Sequence, residues 1–299
     1  MASEVRYNIR YATTLEYPGD ARESQNEVRA CPASDDHQRL IHYSISTTPS
    51  ARCASFDDYW GTRVDAFGVR PPHPSLEITA EASVETRAAP LVTTAPPLFL
   101  LGEQTFKDGH VEYLVPSPHV SWNGGVTDAA RECADQVQAD VVSVTLAIHR
   151  FVGTTINYAP GCTEIGEAVE AVLSNRQGVC QDMAHLNIAM CRSLGIPARY
   201  VSGYFFAADE RTGEDVEDDE VEVQTHAWVE VAVPGDGWLA LDPTNTQAVG
   251  QRHIKIGHGR DYGDVPPFRG VFSGAGAANL SASVTIQRRQ SQQQQQQQQ

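Results

Sequence analysis

The sequence contains no run of eighteen or more apolar residues, so no segment reads as a helix that crosses a bilayer. Its opening, Met1-Ala2-Ser3-Glu4-Val5-Arg6-Tyr7, lacks the basic start and apolar core of a secretory leader, and a cytoplasmic protein is expected. Basic residues are scarce: 22 Lys and Arg stand against 38 Asp and Glu, a formal net charge of -16. A phosphate backbone or an anionic membrane would be repelled, so neither nucleic acid nor membrane is expected as the main partner. The six cysteines, at 31, 53, 133, 162, 180 and 191, include no Cys-x-x-Cys pair and no other finger-like cysteine spacing. This disfavours a disulfide scaffold and a structural metal, and five of the thiols read as small buried hydrophobes. No internal repeat is evident.

What is present suits a folded protein of two parts. The chain has 299 residues, 41% of them hydrophobic, enough for two domains or one elaborated domain. From Val5 to about Thr86 the pattern is strand-like: Val5, Tyr7, Ile9 and Tyr11 alternate, Arg39 to Ile45 follows, and Leu76, Ile78, Ala80 and Ala82 alternate again. An antiparallel β-domain over 1–87 is expected, then a Pro-containing connector over 88–112, because proline interrupts sheet pairing. Thr127-Asp128 is read as the cap of a helix running to about Ala134. Val141, Val144, Thr145 and Ile148 mark one face of a helix over about Val141–Val152. A short helix spans Glu167 to Leu173, and a longer one runs from about Val179 to Leu194, closed by Gly195 and Pro197. Ala198 to Phe205 then reads as a strand. The acidic stretch 209–220 reads as a solvated loop that could repel anionic substrates. Leu280, Ala282, Val284 and Ile286 form a last strand, assigned to a catalytic domain over 113–288. The glutamine-rich segment 289–299 is expected to be disordered.

Three stretches carry the chemistry. Asn175 to Leu186 holds Cys180 at the start of a helix, Thr225 to Val231 holds His226, and Gly237 to Asn245 holds Asp242, the last two on strands. Cys, His and Asp in these settings suit a thiol nucleophile, its base and the group that orients the base. Only the thiolate attacks well, and a helix start together with an imidazolium favours it. The Cys180 backbone N–H is one donor for an oxyanion, an interaction worth about 3 kcal/mol in acyl transfer; Gln177 is a weak candidate for the second. His226 and Asp242 share a face if the hairpin through Pro234-Gly235-Asp236 has an odd number of loop residues, and an even loop would separate them. His185 lies five residues beyond Cys180, a rotation of about 140° on a helix, and is read as a packing histidine. Asp182 reads as a helix-terminus carboxylate. Arg260-Asp261-Tyr262 reads as a brace for the last strands rather than as site lining. Each residue alone has a structural reading, and the joint order is what singles them out.

The sequence resembles the transglutaminase-like superfamily, specifically the bacterial transglutaminase-like proteins with an extra N-terminal domain. The resemblance rests on Gly178-x-Cys180-x-Asp182-x-Ala184-His185-Leu186, Gly195 to Tyr204, His226-Ala227-Trp228 and Asp242-Pro243-Thr244-Asn245. Ser24 to Pro32, Pro72 to Ile78 and Gly259 to Val271 extend it over almost everything before the glutamines. It implies an α+β protein: an N-terminal antiparallel β-domain followed by a papain-like core. It also implies Cys180 as nucleophile, His226 as general base and acid, and Asp242 holding the useful tautomer of His226. The shared step is attack on a peptide or isopeptide-like amide to give a thioester, resolved by water in a cysteine protease or amidase, or by an amine in a transglutaminase. No cofactor or metal is implied, since no calcium-binding loop signature is present. The rival expectation is a binding or scaffold protein that keeps the fold without turnover.

Overall fold

A computed structural model of the chain describes residues 4–89, 92–162, 166–207 and 220–289. The acidic residues 209–219 and the tail 290–299 lie outside the described residues. The first strand, β1 (Val5–Val28), is long enough to serve two pairings. Its first half buries Tyr7, Ile9, Tyr11 and Leu15 in the alternation that the sequence shows. That half pairs antiparallel with β5 (His73–Thr86), whose other neighbour is β2 (Gln38–Thr48). Near Glu23, at φ 49°, the register shifts. Beyond it the second half pairs with β4 (Arg63–Val69), which also pairs with β3 (Ala54–Asp57).

The connector is more structured than its prolines suggest. Residues 98–102 and 111–113 form tight helical turns around α1 (Gln104–Gly109). Helix α2 (Gly124–Ala134) begins earlier than Thr127-Asp128: the Asn123 side chain accepts the Val126 N–H at 3.2 Å. Gly124-Gly125, poor helix formers, hide that start from the sequence. Helix α3 (Val141–Thr155) is capped by Asp140, which accepts the Ser143 N–H at 2.8 Å, and buries Val141, Val144, Thr145 and Ile148 as expected. After β6 (Asn157–Tyr158), α4 (Val169–Asn175) sits two residues later than the Glu167–Leu173 reading, and β7 (Gln177–Gly178) pairs with β6.

Helix α5 (Cys180–Ser193) follows at once and is buried along most of its length. It stops as the sequence indicates. Gly195 takes φ +77°, and the Ile196 N–H bonds the Cys191 carbonyl at 3.0 Å, satisfying a carbonyl left open at the helix end. The chain then forms β8 (Ala198–Phe205), β9 (Glu220–Val223), β10 (His226–Val233), β11 (Gly237–Asp242), β12 (Gln247–Ala248) and β13 (His253–Gly259). A five-stranded sheet runs β12-β11-β10-β8-β13. Ala227, Val229, Val231 and Val233 of β10 meet Met183, Ile188 and the α3 face in one core. Burying each such aliphatic side chain stabilises the fold by about 1.5–3 kcal/mol.

The chain ends back where it began. Strands β14 (Phe268–Ser273) and β15 (Asn279–Arg289) both pair with β1, and β9 adds to β15. This corrects the assignment of the last strands to the catalytic part: they complete the N-terminal sheet, because β15 hydrogen-bonds β1 from Arg6 to Glu16. Glu220, read as the end of an acidic loop, is the first residue of β9. The two sheets are tied at β13. Gln38 donates its side-chain amide to the Lys255 carbonyl and accepts the Lys255 N–H, both at 2.7 Å.

Candidate active site

Cys180 is the first residue of α5 and is half-buried. The helix starts there because the Asp182 side chain turns back to accept the Val179 N–H at 2.9 Å. Gly178 permits this, since a Cβ at 178 would come within 2.9 Å of the Asp182 Cβ. The first-turn N–H groups have no acceptor within the helix, and a helix start favours negative charge beside it. Above them lies a cavity of about 210 Å³ bordered by Cys180, Gln181, His226, Tyr158, Tyr200 and Tyr262. No Asp, Glu, Lys or Arg lines it among the described residues.

Asp242 is fully buried at the end of β11, and His226 opens β10. Their side chains meet at 2.8 Å, His226 Nε2 to Asp242 Oδ2. An ionised carboxylate only accepts, so Nε2 carries the proton and Nδ1 is left for Cys180. Burial pushes the imidazole down, but hydrogen bonding and charge from Asp242 and Cys180 outweigh it, and the pKa is raised to about 9. Asp242 accepts from five donors. Besides His226 they are the Thr244 N–H at 3.0 Å, the Asn245 N–H at 3.2 Å, Asn245 Nδ2 at 2.7 Å and His253 Nε2 at 3.0 Å. Burial acts to raise this carboxyl, yet the hydrogen bonds from His226 and His253 carry it well below the usual carboxylate range.

His226, Asp242 and His253 offer three ligand atoms within 4.8 Å of one another, the donor set of a zinc site. The surroundings do not fit that use. The Gly250 N–H points at His253 Nδ1 at 3.1 Å, so the proton of this ring belongs on Nε2, the atom that would have to bind metal. A ligating histidine instead donates from its other nitrogen to an acceptor.

The structure therefore brings Cys180, His226 and Asp242 to one place. His185 is kept apart from the cavity: buried, it accepts the Tyr262 N–H at 3.2 Å, stacks on His119 at 5.8 Å, and is pushed down to about 3 by burial. Arg260 and Asp261 brace as expected, through Asp264 and through the His119 and Gly263 N–H groups. Tyr262 departs from that reading and borders the cavity. Gln177 is exposed on β7 and does not line it, whereas Gln181 does, with Nε2 buried and lacking an acceptor. Position 181 follows the cysteine directly, the one signal in the sequence that could have marked it. His253 carried none, because only the return of β13 beside β8 brings it to Asp242.

A buried helix that starts at a thiol, packed on an antiparallel sheet that presents a His–Asp pair, defines the papain-like α+β class. The chain belongs to the transglutaminase-like superfamily. A model described as "Transglutaminase-like superfamily" matches residues 127–243, and one described as "Bacterial transglutaminase-like N-terminal region" matches 7–85. An uncharacterized protein of Mycobacterium leprae is 34% identical over 284 residues, covering 95% of this chain and 99% of that protein. A protein-glutamine gamma-glutamyltransferase of Pseudomonas aeruginosa is 31% identical over 121 residues, which is 40% of this chain and 17% of that protein. Among solved structures, a Cytophaga hutchinsonii protein described as a candidate cysteine protease shares the fold, with a TM-score of 0.75, 21% identity, and coverage of 97% of this chain and 92% of that one.

Proposed function

We propose that this chain is a thiol acyl-transfer enzyme acting on peptide or isopeptide-like amides, with Cys180 as nucleophile, His226 as base and acid, and Asp242 as orienter. The observation that carries it is His226, held by Asp242 at 2.8 Å and raised to about 9 by that carboxylate and by Cys180. A ring so placed takes the thiol proton on Nδ1 and remains imidazolium near neutral pH. The sulfur then adds to the amide carbonyl, and the oxyanion meets the Cys180 N–H at the helix start. His226 passes its proton to the departing nitrogen as the carbon–nitrogen bond breaks, leaving a thioester and free ammonia or amine. Water or a second amine, deprotonated by His226, displaces the sulfur and restores the thiol. Apart from Cys180 and His226, the described cavity lining is uncharged and includes three tyrosines, which suits an uncharged carboxamide side chain or backbone amide.

The second step separates a hydrolase from a transamidase. The Pseudomonas aeruginosa relative bears a transferase name, which supports the amine branch over the segment it shares. Incubating the protein with a glutamine-containing peptide library, with and without a primary amine, and reading products by mass spectrometry, decides it. Amine-linked product supports transfer, and deamidated or cleaved product in both arms supports hydrolysis. A protein inert in both arms, with an unreactive Cys180, supports the scaffold reading. We place the reaction in the cytoplasm, in keeping with Cys31, Cys133 and Cys191 buried as free thiols; cell fractionation tests this.

A further inference from the structure

Asp242 serves two histidines with one oxygen. Oδ2 lies 2.8 Å from His226 Nε2 and 3.0 Å from His253 Nε2. The two rings are not equivalent. The Gly250 N–H fills His253 Nδ1, so His253 is a neutral ring donating from Nε2, while the Nδ1 of His226 faces Cys180. His253 opens β13, is 2% exposed, and packs on Phe205 at 4.7 Å and on the edge of Trp228 at 5.4 Å. It does not border the cavity and cannot touch a substrate there.

We propose that His253 is a positioning residue for the acyl-transfer site: by donating to the oxygen that His226 also uses, it shares the charge of Asp242 and sets how strongly that carboxylate holds the His226 proton. The inference rests on the triad reading of Cys180, His226 and Asp242. Without His253, the carboxylate keeps its bonds to Thr244, Asn245 and His226 and stays in place. What changes is its basicity, because each donor on a carboxylate oxygen disperses charge that would otherwise act on the remaining partner. The other titratable groups facing this cluster do not replace the effect. His149 of α3 senses Asp242, but burial pushes its pKa down. Cys180 of α5 acts on His226, and Arg252 stacks over the far ring, Phe205, at 5.0 Å.

The test is the titration of His226 by NMR in histidine-labelled full-length protein, with the signal assigned from H226Q. H253F keeps an aromatic ring against Phe205 and Trp228 but donates nothing; its His226 midpoint should rise by about 0.5–1 pH unit. H253Q, which presents an N–H near the position of Nε2, should return the midpoint toward the parent value. If H253F fails to fold, H253N, too short to reach Oδ2, gives the same reading. A His226 midpoint that is unchanged or lowered in a folded donor-free variant overturns the proposal. D242N distinguishes the triad from the role of His253: if it leaves the His226 midpoint unmoved, the triad reading itself fails, whereas a lowered midpoint in D242N with no response in H253F removes only His253.

Discussion

Gly203 stands directly opposite His226 in the β8–β10 ladder, and no other residue type fits there. A Cβ at 203 would run into the Ile254 carbonyl oxygen and the Trp228 ring. Both obstacles are backbone or fully buried ring, so neither gives way easily. Gly203→Ala should cost about 1–3 kcal/mol by overpacking and should displace His226. Urea unfolding reads the first effect and the rate of Cys180 labelling by an amide-mimic electrophile reads the second. A variant of parental stability and labelling rate would show that the strand pair is looser than described.

Asp242→Asn removes the charge that raises His226. The His226 pKa should fall from about 9 toward its ordinary 6.5, and labelling of Cys180 at neutral pH should slow by about a hundredfold or more. The stability profile carries a sign. A histidine with a raised pKa contributes stability that is complete below about 6.5 and is lost as pH rises through about 9. The depressed Asp242 contributes above its ordinary 3.8, and that contribution is lost as pH falls. The stability gap between parent and variant should therefore be widest between those limits, and unfolding curves at pH 5, 7 and 9 measure it.

Glu230, buried on β10, is shared by Lys255 at 2.7 Å and Arg199 at 2.6 Å. Burial acts to raise its carboxyl, but the two cations bring it down to about 2. Glu230→Gln leaves two cations without their partner and should cost about 3–5 kcal/mol. The contribution of this carboxylate holds above its ordinary 4.5 and is lost as pH falls through about 2. Denaturant unfolding of parent and variant across pH 3 to 7 checks both the size and the direction.

His185 stands five residues from Cys180 and is the histidine most easily mistaken for the base. Burial holds it at about 3, so it is neutral throughout the physiological range. His185→Gln should lower stability by about 1–3 kcal/mol through its bond to Tyr262, yet leave the pH dependence of Cys180 labelling in place. A shift of that profile would make His185 part of the proton chemistry.

The site was legible where chemistry and period coincide. Val233 pairs with Gly237, so the β10–β11 loop holds three residues, and the odd count puts His226 and Asp242 on one face as the strand parity requires. Helix α5 and its stop at Gly195 were likewise written in local residues. The return of β14 and β15 to β1 was not. The Leu280 to Ile286 alternation specifies a strand but not its partner, since pairing between residues 6 and 289 depends on the whole fold. The same limit hid His253, whose role comes from β13 lying beside β8. It also hid β3 and β4, short strands without a strong alternating signal.

Cys180, driven by His226 and Asp242, is the residue proposed to bond to the acyl group. Treating the protein with a peptide electrophile that mimics a carboxamide, then mapping the adduct by peptide mass spectrometry, measures it directly. One adduct is expected, on Cys180, absent in Cys180→Ala and strongly slowed in His226→Ala and Asp242→Asn. An adduct that forms on exposed Cys162 instead, or on Cys180 at a rate indifferent to His226, would contradict it.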